Sequence, residues 1–161
     1  MEENILRLIY PEQEIFIKDF KFPCEELSIS TTCLVPSKTH YVLRPVPYVT
    51  TENYVRCLSQ ASYLLSHHII KNGLIPLEIP ETAFIQAAMN YELYYRNLAM
   101  TFHKRVTKDE EFIMKLVLKN FREIKSLQDF ILFVFSNTRT VISGEMSFVF
   151  KSGSKTNGGR Q

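Results

Sequence analysis

Hydrophobic residues recur along this chain with two different periods, and the point where one gives way to the other sets the expected architecture. Between residues 52 and 71, Val55, Leu58, Ser62, Leu65 and Ile69 follow the i, i+3, i+7, i+10, i+14 spacing of one helical face. Cys57, Ala61 and Leu64 widen that face. Thr50 offers an N-cap, Glu52 an acid in the first turn and Asn72-Gly73 a left-handed stop. With small residues at Ser59, Ala61, Ser62 and Ser66, this is a helix that other elements pack closely around.

After residue 91 the period is two. Strands are predicted over 91–105, 111–123, 126–137 and 140–151, with turns at 108–110, 122–125 and 137–139. The last alternates most clearly, with Val141, Ser143, Glu145, Ser147 and Val149 against Ile142, Gly144, Met146, Phe148 and Phe150. Upstream, residues 26–35 are β-branched, Pro36-Ser37-Lys38 make a turn, and residues 40–44 read as the partner strand of a hairpin. Residues 2–10 predict a short amphipathic helix ended by Pro11, and residues 81–89 a second short helix. The polar, glycine-rich residues 152–161 are expected to be a disordered tail. That leaves residues 1–151 as a single domain, its first 25 residues an N-terminal helix and extension.

A hairpin, one long buried helix and four long strands make an α+β domain in which a sheet of about six antiparallel strands has one apolar face to hide. If that sheet curls, as strand twist favours, one helix can cover the face. This is the hotdog architecture, with a plain α+β sandwich as the alternative. A hotdog domain usually pairs strands with a second copy, so a homodimer or a larger dimer-based assembly is expected.

Composition narrows the chemistry. The 161 residues carry five glycines, three of them among the last nine residues, which argues against a glycine-rich phosphate loop. Net charge is +2 with the two signs interspersed, so no nucleic-acid footprint stands out. Cys24, Cys33 and Cys57 match no zinc pattern and suit a reducing compartment. The start Met1-Glu2-Glu3-Asn4 is acidic where a signal peptide is basic, and no apolar run approaches membrane-span length. A cytoplasmic protein with no metal and no cofactor is expected.

The segment Thr51-Glu52-Asn53-Tyr54-Val55-Arg56-Cys57-Leu58-Ser59-Gln60-Ala61-Ser62-Tyr63 resembles the central helix of the FcoT-like (type III) long-chain acyl-CoA thioesterases, where a Gln is followed three residues on by a Tyr. Phe102-His103-Lys104-Arg105 and Ser143-Gly144-Glu145-Met146 extend the likeness over roughly residues 26–150. The resemblance implies an enzyme acting on medium- or long-chain acyl-CoA or acyl carrier protein, with catalysis by carbonyl polarisation. It implies Tyr41, Gln60, Ser59 and Tyr10 as catalytic residues, and Asn53 and Tyr63 as substrate contacts. Lys104 and Arg105 would hold a carrier phosphate or a nucleotide. Ser59 stands where the family has an Asn, and a second family Asn falls near Val49 or Thr50 and is missing.

The residues themselves agree with one part of that picture. Residues 53–72 contain no carboxylate, which counts against the helix-borne acid of many hotdog hydrolases and of dehydratases. Hydrolysis is the expected reaction. Addition of glycine across a 2-enoyl thioester, as in lipopeptide assembly, is the alternative within the family. A 3-hydroxyacyl-thioester dehydratase and a non-catalytic acyl- or carrier-binding domain are further alternatives. Adjacent His67 and His68 diverge around a helix and do not converge on one metal.

Overall fold

The computed structural model describes residues 5–24, 27–38, 46–126, 128–137 and 141–151. Helix α1 (Leu6–Ile9) and a 3₁₀ turn (Glu12–Glu14) lead into strands β1 (Ile17–Lys21) and β2 (Ser28–Leu34). Helix α2 (Thr51–Lys71) and helix α3 (Glu81–Met89) follow. Then come β3 (Leu93–Phe102), β4 (Glu111–Ser126), β5 (Gln128–Asn137) and β6 (Ile142–Lys151). The strands form one sheet in the order β1-β2-β4-β5-β6-β3, antiparallel throughout. The α+β class, the six antiparallel strands and the long helix packed on them are as expected from sequence. Among the described residues, no helix is long and apolar enough to cross a membrane.

Helix α2 begins and ends where its sequence says it should. The Asn53 side-chain oxygen accepts from the Thr50 backbone N–H (3.0 Å) and from the Thr50 hydroxyl (2.9 Å), closing the N-terminus. At the other end Gly73, with φ +59°, and Leu74 donate back to Ile70 and Ile69 in a Schellman arrangement. Leu58, Leu64, Leu65 and Ile69 are buried against the sheet, where Phe112, Met114 and Leu116 of β4 face inward. Beside them, Phe133 stacks on Phe135, Phe148 and Phe150 at 6.0, 5.6 and 5.8 Å, and Phe84 of α3 meets Phe150 edge-on at 5.2 Å.

Three expectations change. Strand β1 was not foreseen, because a bulge between Ile17 and Asp19 breaks the alternation that would have announced it. It occupies one edge of β2 while β4 occupies the other, pairing Ser28 through Leu34 with Val117 through Glu111. The anticipated partner strand at 40–44 lies outside the described residues, as does the tail at 152–161. The turn expected at 122–125 is instead strand: Arg122 pairs with Leu132 and β4 continues to Ser126. Arg122 and Glu123 are exposed there, so the charges mark an uncovered strand end and not a reversal. Among the described residues the first helix is a single turn, Leu6–Ile9, and Tyr10, expected to be its last residue, is already extended.

Candidate functional site

Helix α2 carries a run of polar side chains into the interior: Ser59, Gln60, Ser62 and Ser66 are all buried. Buried polar groups ordinarily have partners, and those of Ser59 and Gln60 show how the sheet is arranged. Gln60 is fully buried. Its Oε1 accepts from the backbone N–H groups of Phe16 (2.9 Å) and Ile17 (3.4 Å), and its Nε2 donates to the Glu14 carbonyl (2.7 Å). It fastens the start of β1. Ser59, the preceding residue, receives a hydrogen bond from the Tyr95 hydroxyl of β3, the strand at the far edge. Neighbouring positions on one helix therefore hold the two opposite edges of the sheet.

Ser59 is also 3.2 Å from the Tyr10 hydroxyl. With Tyr95 donating to its Oγ, the Ser59 hydrogen can pass on to Tyr10, giving a relay of three hydroxyls. The Tyr63 ring meets that of Tyr10 edge-on at 6.1 Å. Burial raises the pKa of Tyr10 and of Tyr63, and pushes Tyr95 up to about 12. All three phenols therefore stay protonated near neutral pH and serve as donors.

This cluster opens on a cleft of about 360 Å³ bordered by Tyr10, Thr51, Glu52, Val55, Arg56 and Ser59. Arg56 is ion-paired to Glu14, and its guanidinium lies 6.0 Å from the Tyr10 ring centroid and 5.9 Å from that of Phe16. Glu52 is exposed on the first turn of α2, so this wall combines hydroxyl donors with one carboxylate. The hydroxyl cluster can polarise a carbonyl oxygen, with the Glu52 carboxylate about two helical turns away along the same wall.

Of the residues picked out from sequence, Tyr10, Ser59 and Tyr63 are brought together. Gln60 is adjacent in sequence, but its amide is bonded to the chain at residues 14–17. Asn53 is buried with its side-chain oxygen in the helix cap. Lys104 and Arg105 border a different cleft, with Tyr48 and Phe102. Tyr41 lies outside the described residues. Sequence reading missed Tyr95, Arg56 and Glu14. The cluster Tyr91, Tyr94 and Tyr95 at the start of β3 was a usable signal for the first. A bulge between Tyr95 and Asn97 hid which way it would point.

No protein-family model and no curated protein matches the chain.

Proposed function

We propose that this protein is a hotdog-fold enzyme, similar to the FcoT-like thioesterases, that hydrolyses a medium- or long-chain fatty acyl thioester in the cytoplasm. The observation that carries the reading is the Ser59 hydroxyl held between two tyrosine hydroxyls at the wall of an open cleft. A thioester carbonyl entering that cleft would take a hydrogen bond from Tyr10, the end of the relay that Tyr95 and Ser59 feed. The water oxygen then bonds to the carbonyl carbon while its proton passes to Glu52. Collapse breaks the C–S bond, and that proton reaches the departing sulfur. Gln60 acts as a positioning residue, fixing the segment that follows Tyr10.

The acyl chain is assigned to the apolar seam between α2 and strands β3 and β6. A gap of about 10 Å³ bordered by Leu58, Leu98, Met100 and Met146 already exists there. Methionines are the side chains that yield most readily to an incoming chain. The exposed edge of β3, ten residues long and bearing Tyr94, Tyr95 and Phe102, suits antiparallel pairing with a second copy. The active species is then a homodimer.

The test is a mass-resolved assay with saturated and 2-enoyl thioesters, each with and without glycine. Free acid regardless of glycine is expected, with turnover falling about a hundredfold in Ser59→Ala and in Tyr95→Phe as the relay that orients the Tyr10 donor is broken. Product only with glycine and an enoyl substrate would replace hydrolysis by amine addition. Saturable binding without product would leave an acyl-binding protein.

A further inference from the structure

The stretch from Tyr10 to Ile17 crosses one face of α2. At about 100° per residue, positions 56, 59, 60 and 63 fall within roughly 100° of one another, so they share that face. Ser59 and Tyr63 meet Tyr10, and Gln60 takes the backbone of residues 14, 16 and 17. Arg56 reaches further along the stretch than any of these. It pairs with the Glu14 carboxylate, and the same guanidinium lies 6.0 Å from the Tyr10 ring centroid and 5.9 Å from that of Phe16. One side chain thus spans Tyr10 to Phe16 across the Glu12–Glu14 turn.

The pair asks for a role beyond holding the fold. Its two side chains are 26% and 31% exposed, and an ion pair this open to water adds little to stability. The fold is served already by Gln60, whose grip ends at residue 14 and does not reach Tyr10. The Tyr10 N–H is bonded to the Leu6 carbonyl at 2.8 Å, which places the backbone and leaves the direction of the ring to the side chains around it. They include Ser59, Tyr63 and Arg56. Ser59 holds the hydroxyl, the atom for which a substrate oxygen would compete. Tyr63 and Arg56 hold the ring itself. A lysine could keep the ion pair, but a planar guanidinium pairs with a carboxylate along its edge while its face lies toward aromatic rings.

Charge near the Tyr10 hydroxyl comes from Arg56 and Glu14, with opposite signs, and from the phenols of Tyr91, Tyr63 and Tyr95 once ionised. Burial is the largest influence and raises the Tyr10 pKa above its ordinary 10.0; the Ser59 hydrogen bond and then the Arg56 cation pull it back. Two roles for Arg56 therefore predict opposite signs. If Arg56 supplies charge alone, removing it leaves the ring in place and the phenol titrates higher still. If Arg56 keeps the ring in place, removing it lets water reach the phenol. The dominant cause of the rise is then lost, and the pKa falls toward 10.0.

We propose that Arg56 is a positioning residue: clamped to Glu14, it holds the Tyr10 ring so that its hydroxyl faces the cleft. The role in turnover rests on the acyl-thioester reading above, and two experiments separate the two. The first needs no substrate. With carbon-13 at the tyrosine Cζ, the Tyr10 resonance, identified by its loss in Tyr10→Phe, reports titration of that phenol in the folded protein. A lower midpoint is expected in Arg56→Ala, with thermal stability little changed. A higher or unmoved midpoint overturns the proposal, whether or not any thioester is consumed. A lower midpoint in a protein that turns over no thioester keeps the clamp and sinks the thioester reading. The second experiment is kinetic. Arg56→Ala should lower kcat about tenfold with KM within about twofold, the pattern of an interaction made in the transition state. In a Tyr10→Phe background the same change should cost less than about twofold more, because a residue acting through Tyr10 has nothing left to position. A full tenfold loss in that background would overturn the proposal and leave hydrolysis standing.

Discussion

Strand β1 is five residues long, bulged after Ile17 and studded with Lys18, Asp19 and Lys21, whereas β3 runs for ten residues and exposes Tyr94, Tyr95 and Phe102. Both are edge strands and both are bulged, yet only the first combines its bulge with short length and a run of charges that discourage further pairing. Each is tied to α2 by one of two consecutive residues, and the ties differ in kind. Gln60 reaches the backbone of residues 14–17 through a fully buried amide, while Ser59 reaches a tyrosine side chain at the rim of a cleft. Backbone bonds buried this deeply serve the fold. A hydroxyl-to-hydroxyl bond at a cleft can be exchanged for a substrate oxygen without unfolding anything. The same helix thus fastens one edge through backbone and the other through a single side-chain hydroxyl.

The largest effect should come from disturbing the seam that carries the open edge. Gly144 of β6 pairs with Met100 of β3, and a Cβ added at Gly144 would fall 1.9 Å from the Ala99 carbonyl oxygen. That atom is backbone in a paired strand, so no rotamer change can make room. Gly144→Ala should cost about 3 kcal/mol or more and displace β3. Chemical denaturation would show the loss, and the change should abolish Ser59-dependent turnover because Tyr95 moves with the strand. At the closed edge, Gln60→Ala strips the Phe16 N–H and the Glu14 carbonyl of their buried partner. It should cost roughly 2–3 kcal/mol by the same measurement. Here the two edges part ways: Ser59→Ala should leave stability within about 1 kcal/mol while removing activity. Equal destabilisation by both changes would mean that the edges are fastened alike.

Alkaline titration sharpens the contrast at the open edge. The folded pKa of Tyr95 is raised from 10.0 to about 12, so the folded state holds its proton more tightly than the unfolded chain does. Stability from this group is complete below pH 10 and is lost as pH rises toward 12. Tyr95→Phe should flatten the decline of stability across that window, whereas Gln60→Ala, which removes no titrating group, should leave its slope unchanged. Tyr10 and Tyr63 shift in the same direction and will keep some slope in any single variant.

What the sequence disclosed divides along the same line. Helix α2 was readable to its ends, because capping chemistry is local: Thr50 and Gly73 act within a few residues of themselves, although Asn53, expected to meet substrate, turns out to close the first turn. The four later strands were readable from alternation. Strand β1 was not, since its bulge shifts the register in mid-strand, and the partners of Ser59 and Gln60 were not, since they lie 36 to 49 residues away in the chain. Sequence resemblance marked Gln60 as chemically important, and Gln60 is indeed buried and fully engaged. Only the three-dimensional contacts show that its engagement is with the chain. Tyr95 drew no notice because a tyrosine in a strand is ordinary until its hydroxyl has a destination.

The smallest effect concerns Tyr91, where α3 hands over to the open edge. Tyr91 follows the last turn of α3 with φ +56°; its N–H donates to the Ala88 carbonyl and that of Glu92 to the Ala87 carbonyl. This is the position that glycine normally fills, and an aromatic residue there carries a left-handed strain of about 1 kcal/mol. The side chain is 74% exposed, so packing offers little in return. Tyr91→Gly should therefore stabilise the protein, by somewhat less than that amount because glycine also gains freedom in the unfolded chain. An unchanged or lowered midpoint would mean that the ring, close enough to Tyr10 and Tyr63 to feel their charge, is held by contacts worth more than the strain. The equivalent hand-over into the closed edge contains no such residue: the segment from Pro11 to Ile15 is extended or 3₁₀, with every described φ negative. Of the two hand-overs only the one into the open edge holds a strained residue, although Asp109, in the turn before β4, is also left-handed at φ +64°. If Tyr91→Gly gains stability while raising KM for the acyl thioester, the strained residue belongs to the site; stability gained with KM unmoved would make it an unremarked flaw in the turn.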